Sequence, residues 1–124
     1  MGFRIRGVHH VQVTAPPGAV EACKRFYGGV LGLAEIPKAE GLHRPGAWYR
    51  LGGMELHVSM EEGPTDNPAS RRHLCYEVDD LAEAERRLKE AGVEIIPDQQ
   101  PIEAWVRFYV RDPAGNRVEF AQKR

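Results

Sequence analysis

The chain has 124 residues, enough for about one domain with a hydrophobic core of its own. It carries 17 basic and 18 acidic residues for a net charge of −1, and the two signs are interspersed, which excludes the basic stripe that nucleic acid or an anionic membrane requires. No apolar run approaches the roughly 20 residues of a membrane span, and the first residues lack the apolar segment of a secretion signal. We therefore predict a soluble, cytoplasmic protein that binds neither nucleic acid nor membrane.

In chain order, alternation of apolar and polar residues predicts strands, and helical spacing of apolar residues predicts helices. The predicted strands are 7–14, 33–37, 46–51, 54–60, 72–78, 93–97, 104–111 and 116–122, and the predicted helices are 17–31 and 80–91. Asp80 followed by Glu83 is typical of a helix start. The segment 61–70, "EEGPTDNPAS", is rich in turn formers and predicts a linker.

The order strand, helix and three strands therefore occurs twice. We predict an α+β fold in a single domain over 1–124, built from the βαβββ modules 1–62 and 68–124, with one helix per module on the outer face of a mixed sheet. His10 and His73 begin corresponding strands. The register near the module ends stays open, because both Glu55 and His57 can be matched to Glu119 without changing the face.

The strand period places a distinctive set of side chains on the face that the helices do not cover, since residues two apart share a face. In the first strand Val11 and Val13 oppose His10, and three more strands show the same division. A solvated face is usually filled by lysine, threonine, glutamate and arginine. Here it collects imidazoles and carboxylates, which suit a divalent transition metal; these residues are His10, Glu55, His57, His73 and Glu119.

Several motifs resemble the vicinal oxygen chelate superfamily, which includes glyoxalases, bleomycin resistance proteins and extradiol dioxygenases. The matching pieces are "HHVQVTAP", "FYGGVLGL", "WYRLGGMELHV", "HLCYEVDDLAEAERRLKEAGV" and "FYVRDPAGNRVEF". The resemblance implies a curved, cup-like sheet, assembly as a homodimer, and a divalent ion, Zn, Ni, Mn or Fe(II), that chelates vicinal oxygens of a small substrate.

The resemblance also implies which residues hold the metal. They are His10, His73 and Glu119, with either His57 or Glu55 from the last strand of the first module; His57 is favoured. Glu119 or Glu55 is then the carboxylate that moves a proton. His9 lies on the opposite face, where we expect it to pack.

The third strand of each module carries alternating aromatic and basic residues. If they face the cup, they form a substrate pocket whose guanidinium groups bind a carboxylate or phosphate, which predicts an anionic substrate. The residues are Trp48, Arg50, Trp105, Arg107 and Tyr109. The interpretation takes Arg50 and Arg107 as equivalent positions of the two modules.

Three functional classes fit this pattern. The first is a metal-dependent enzyme, a lyase, isomerase, thiol transferase or dioxygenase, in which the ion stabilises an oxyanion. The second is a metal-free antibiotic-binding protein of the bleomycin-resistance type, and the third is a structural or regulatory module. The set His10, His73 and Glu119 favours the enzyme.

Overall fold

The computed structural model describes residues 2–65 and 67–124. Its backbone contacts divide the chain into two compact units, Met1–Glu62 and Gly63–Arg124. Each unit contains one four-stranded mixed sheet and one main helix, so the predicted α+β fold of two βαβββ modules is confirmed. Within the described residues, no helix has both the length and the apolar character needed to cross a membrane.

The first unit contains strands β1 (His10–Ala15), β2 (Glu35–Ile36), β3 (Gly46–Leu51) and β4 (Met54–Met60). They lie in the order β1-β4-β3-β2, with β1 parallel to β4 and the other pairs antiparallel. The predicted helix 17–31 is helical throughout most of its length but changes type along the way. It begins as a 3-10 turn (Pro17–Ala19), continues as helix α1 (Val20–Lys24), and ends as a π-helical segment (Arg25–Val30).

The second unit repeats this arrangement with strands β5 (Leu74–Glu77), β6 (Ile96–Pro97), β7 (Trp105–Arg111) and β8 (Arg117–Lys123) in the order β5-β8-β7-β6. Helix α2 (Leu81–Glu90) begins where the sequence predicts, because the Asp80 carboxylate accepts a hydrogen bond from the Glu83 backbone N–H at 3.0 Å. The reciprocal half of the expected capping box is replaced, since the Glu83 side chain pairs with Arg86.

The core of each unit lies between its sheet and its helix. In the first unit α1 packs on β3 and β4, and in the second α2 packs on β8. The buried apolar side chains alternate along the strands with the polar ones, as the strand period predicts. Each sheet therefore has its other face available for the histidine and carboxylate side chains.

Candidate metal centre

The first unit stacks three rings on the face that α1 does not cover. His57 in β4 lies directly opposite Trp48 in β3, and their rings are parallel with centroids 3.8 Å apart. The His10 ring stacks at 4.2 Å on His57. The stack and the strands bury His57 to 4 % exposure, whereas His10 stays exposed. The orientation of the His57 imidazole is therefore fixed by packing.

A carboxylate completes this cluster. Glu55, two residues before His57 on the same face, has its Oε1 atom 3.0 Å from the His57 Nε2 atom. This hydrogen bond lowers the pKa of Glu55 below its ordinary value. Glu55 is therefore a charged acceptor at neutral pH.

The strand ladders define which residues of the two modules correspond. Val11 lies opposite Leu56 in the first unit, and Leu74 lies opposite Val118 in the second. If His10 is matched to His73, each residue of β1 corresponds to the residue 63 positions later, in β5. Each residue of β4 then corresponds to the residue 62 positions later, in β8.

Under this match, the difference of one residue favours one of the two registers that the sequence leaves open, whereas the choice between His57 and Glu55 as ligand stays a prediction. His57 corresponds to Glu119, and Glu55 corresponds to Arg117. Each module therefore has a histidine at or just before the start of its first strand, His10 or His73, and a second potential metal ligand in its last strand, His57 or Glu119.

The same ladders correct the predicted equivalence of two arginines. Trp48 lies opposite His57, and Tyr109 lies opposite Glu119. Each residue of β3 therefore corresponds to the residue 61 positions later, in β7. Arg50 therefore corresponds to Arg111, and its equivalence to Arg107 is wrong. Alternation alone cannot detect this error, because arginines recur along the same face of β7.

The second unit brings His73 and Glu119 into direct contact. The His73 Nε2 atom is 2.8 Å from the Glu119 Oε1 atom, and the carboxylate side chain is 5 % exposed. The other ring nitrogen, Nδ1, lies 2.8 Å from the Arg71 carbonyl oxygen, which can only accept. Nδ1 therefore carries a proton, and Nε2 and the carboxylate require a further proton or a cation between them.

Arg107 lies beside this pair but is itself already paired. Its Nε atom donates to the Asp98 carboxylate at 3.0 Å, and its terminal nitrogen lies 3.6 Å from Glu119. The hydrogen bond from Arg107 lowers the pKa of Asp98, and the same bond raises the pKa of Arg107. The sequence did not point to Asp98, because it lies in the irregular segment after β6.

The remaining predicted residues are placed as follows. Arg50 is exposed and lies opposite Glu55. Tyr109 is buried opposite Glu119, and the indole N–H of Trp105 is buried without a hydrogen-bond partner among the described residues. The expectation that His9 packs is wrong: His9 is exposed, and its ring meets the His10 ring edge-on with the centroids 5.2 Å apart.

Each unit also contains an open cavity on its sheet. A cavity of about 650 Å³ in the first unit is lined by Trp48 and by the loop that precedes β3. A cavity of about 460 Å³ in the second unit is lined by His73, Tyr109 and four arginines. Both volumes are in the range of sites for small molecules.

The donor atoms present fit a divalent metal. No group of three or more histidine, cysteine, aspartate or glutamate side chains suited to an ion occurs within residues 2–65 and 67–124. The Glu55–His57 and His73–Glu119 pairs nevertheless hold nitrogen and oxygen 3.0 and 2.8 Å apart. Two ligands with bonds of about 2.1 Å that meet at about 90°, as in octahedral coordination, lie roughly 3 Å apart, so each pair has the separation of two neighbouring ligands.

Comparison with known proteins defines the class. The model of the Glyoxalase/Bleomycin resistance protein/Dioxygenase superfamily matches residues 7–120. The chain therefore belongs to this superfamily, which confirms the resemblance seen in the sequence motifs.

Relatives of known structure share the fold over the whole chain. A glyoxalase family protein from Bacillus anthracis is 41 % identical, with full coverage of both chains and a TM-score of 0.86. A mutant of the fosfomycin resistance protein FosX from Listeria monocytogenes, complexed with Mn(II) and 1S,2S-dihydroxypropylphosphonic acid, is 16 % identical over 98 % of this chain and 95 % of that one, with a TM-score of 0.81. The curated protein Glyoxylase I 4 from Arabidopsis thaliana is 24 % identical over 94 % of this chain and 71 % of its own length.

Proposed function

We propose that the chain is a divalent-metal-dependent enzyme acting on a small oxygen-chelating substrate, and that its protein ligands are His10 and His57 in the first unit and His73 and Glu119 in the second. The observation that carries this proposal is the repeat register: once His10 is matched to His73, the strand ladders match His57 to Glu119. The His73–Glu119 contact at a ligand-like separation, and a family that includes a Mn(II) complex, support it. Cytoplasmic location stays a prediction from the sequence.

The chain's own groups position two of the histidines that we assign as ligands, His57 and His73. When bound, the ion supplies a Lewis acid that polarises a carbonyl or stabilises an oxyanion. The Arg71 carbonyl and the packing of the sheet hold His73 with its Nε2 atom toward Glu119. Glu55 is held in its charged form by His57 and orients that imidazole.

Of the two carboxylates predicted to be catalytic, Glu119 is the one we assign to proton transfer. It is buried, and its two oxygens face His73 at 2.8 Å and Arg107 at 3.6 Å. Low exposure strengthens its interactions with a charged reaction centre. A lyase or isomerase reaction, which needs a proton moved between neighbouring carbons or oxygens, is the chemistry that this arrangement favours.

The experiment is calorimetric titration of protein treated with EDTA, using Mn(II), Zn(II) and Ni(II) separately. We expect tight binding of at least one ion, and a loss of affinity of about tenfold or more in His73→Ala. His43→Ala, in an exposed loop of the first unit, is the matched control and should bind as the parent does. Unchanged affinity in His73→Ala removes that residue from the ligand set.

The alternative, a metal-free antibiotic-binding protein, makes the opposite prediction. The 650 Å³ cavity lined by Trp48 is the feature that favours it, because an indole ring attracts cations. Such a protein binds its ligand equally well with and without EDTA, and no ion is taken up in the titration.

A further inference from the structure

The cavity of the second unit is unusual in its charge. Four arginines line it, together with a single carboxylate, Asp98. Burying or crowding positive charge in this way is unfavourable unless an anion balances it. The four arginines are Arg71, Arg107, Arg111 and Arg117.

Only one of the four is balanced. Arg107 is paired with Asp98 and approaches Glu119. Arg111 donates to the carbonyl oxygens of Gly115 at 3.0 Å and Pro68 at 3.5 Å, which are neutral acceptors. Within the part of the chain that the structure describes, no carboxylate lies within 4.0 Å of the guanidinium groups of the other three.

Two of the unbalanced arginines lie directly opposite each other. Arg111 in β7 and Arg117 in β8 are cross-strand partners, an arrangement that places like charges side by side and costs stability. The corresponding positions of the first unit hold Arg50 and Glu55, which have opposite charges. The second module therefore carries an arginine where the first carries the neutralising glutamate.

The Arg117 side chain is also positioned in advance. Its guanidinium carbon lies 4.3 Å from the centre of the Tyr109 ring, a cation–π contact that limits its motion. Tyr109 is buried and in turn contacts the His73 ring. One ring thus lies between the unbalanced arginine and the histidine that we place at the metal.

We propose that Arg111 and Arg117, assisted by Arg71, bind the oxyanion group of the substrate, a phosphonate, phosphate or carboxylate. The substrate class is a small acid, held at its charged end by guanidinium groups, with its neighbouring oxygens toward His73 and Glu119. The second half of this statement rests on the proposed function, but the anion subsite does not. These arginines replace Arg50 and Arg107 as the residues that select an anion, because Arg50 is exposed and Arg107 is paired with Asp98.

The test measures binding of methylphosphonate, with neutral dimethyl sulfone as the uncharged analogue. Calorimetric titrations are run on protein treated with EDTA and on protein reloaded with metal. We expect methylphosphonate to bind in both samples and dimethyl sulfone in neither. Arg117→Gln should weaken methylphosphonate binding by about tenfold, equivalent to about 1.4 kcal/mol, and Arg111→Lys should weaken it less than that, because it keeps the charge and loses the planar fork.

Arg124→Gln is the matched control, since it removes one positive charge from an exposed residue at the end of the same unit. It should change the affinity by less than about twofold, because its charge is largely screened at physiological salt. Equal binding by the parent and a folded Arg117→Gln overturns the subsite. If Arg117→Gln does not fold, unchanged binding by Arg111→Gln has the same consequence.

The outcomes separate this subsite from the metal proposal. Normal metal uptake with no methylphosphonate binding contradicts the subsite and leaves the metal ligands in place. Methylphosphonate binding that Arg117→Gln weakens by about tenfold, in protein that takes up no ion, supports the subsite and contradicts the metal proposal.

Discussion

At the scale of single residues, Tyr49 shows how the sheet of the first unit is fixed to its helix. Its side chain is 1 % exposed, and its hydroxyl donates at 3.2 Å to the carbonyl of Lys24, the last residue of α1. Burial, followed by the negative charges of Glu35 and Glu21, raises the pKa of Tyr49 to about 12. The fold therefore favours the neutral phenol.

The pH dependence of stability tests this assignment. A raised pKa in the folded state means that the stabilisation is complete below the ordinary tyrosine pKa near 10 and is lost as the pH rises toward about 12. Tyr49→Phe should cost about 1 kcal/mol at neutral pH, from the lost hydrogen bond, and its unfolding free energy should fall less steeply between pH 10 and 12. Urea titrations across this range measure both effects; parallel curves for the two proteins would contradict the account.

The sequence predicts the face of each candidate residue but not its partner. Alternation correctly places Glu55 and His57 together and His73 on the same face as Glu119. Alternation cannot reveal that the last strands of the two modules are offset by one residue relative to the first strands. Matching either Glu55 or His57 to Glu119 leaves the side chain on the same face of the sheet.

At the scale of elements, the start of β3 depends on a glycine. Gly46 has a φ of +149° and lies opposite Ser59. A Cβ atom built there overlaps the Val58 carbonyl oxygen, and that atom belongs to the backbone of β4 and cannot move aside cheaply. The strand pairing that carries Trp48 and His57 therefore requires glycine at this position.

Gly46→Ala should lower the free energy of unfolding by about 3 kcal/mol, from steric overlap and an unfavourable φ. Gly53→Ala is the matched control, because nothing lies within 4 Å of a Cβ atom there and its φ is not positive. That variant should stay within about 0.5 kcal/mol of the parent. Equal urea midpoints for the two variants would disagree with the observed register.

The start of α2 gives a second prediction at this scale. Asp80→Ala removes the side chain that accepts from the Glu83 N–H and should cost about 1 kcal/mol. The neighbouring Asp79→Ala removes an equal charge from an exposed residue just before the cap and should cost clearly less. Thermal denaturation of the two variants decides whether capping or charge is responsible, and equal losses would assign the effect to charge.

The element order was predictable from the sequence because capping and alternation are local signals. The changes of helix type between Pro17 and Val30 were not, since the segment "RFYGGV" has no distinct apolar period. Two strands, β2 and β6, are only two residues long where five were predicted in each case. Short edge strands depend on their neighbour for pairing, which the residues themselves do not reveal.

At the scale of the whole molecule, the sequence resemblance predicts a homodimer. The first unit leaves the apolar side chains of Phe3, Ile5 and Val8 exposed, at 88, 85 and 63 %, and a second chain would remove such surface from water. Sedimentation should report a mass of about 28 kDa, twice the 13.9 kDa of the chain. A monomer at micromolar concentration that still binds metal would contradict the prediction.

The most direct test of the central claim, that the repeated histidine and carboxylate positions hold a metal ion, is elemental analysis of the purified protein beside Glu119→Gln. This variant keeps the size of the side chain and its approach to His73, but it removes the charge that a divalent ion needs. The account predicts about one divalent ion per chain in the parent, and less than about a tenth of that in the variant at the same free metal concentration. A parent protein that contains no divalent ion and takes none up after dialysis, or a variant that retains as much as the parent, would contradict it.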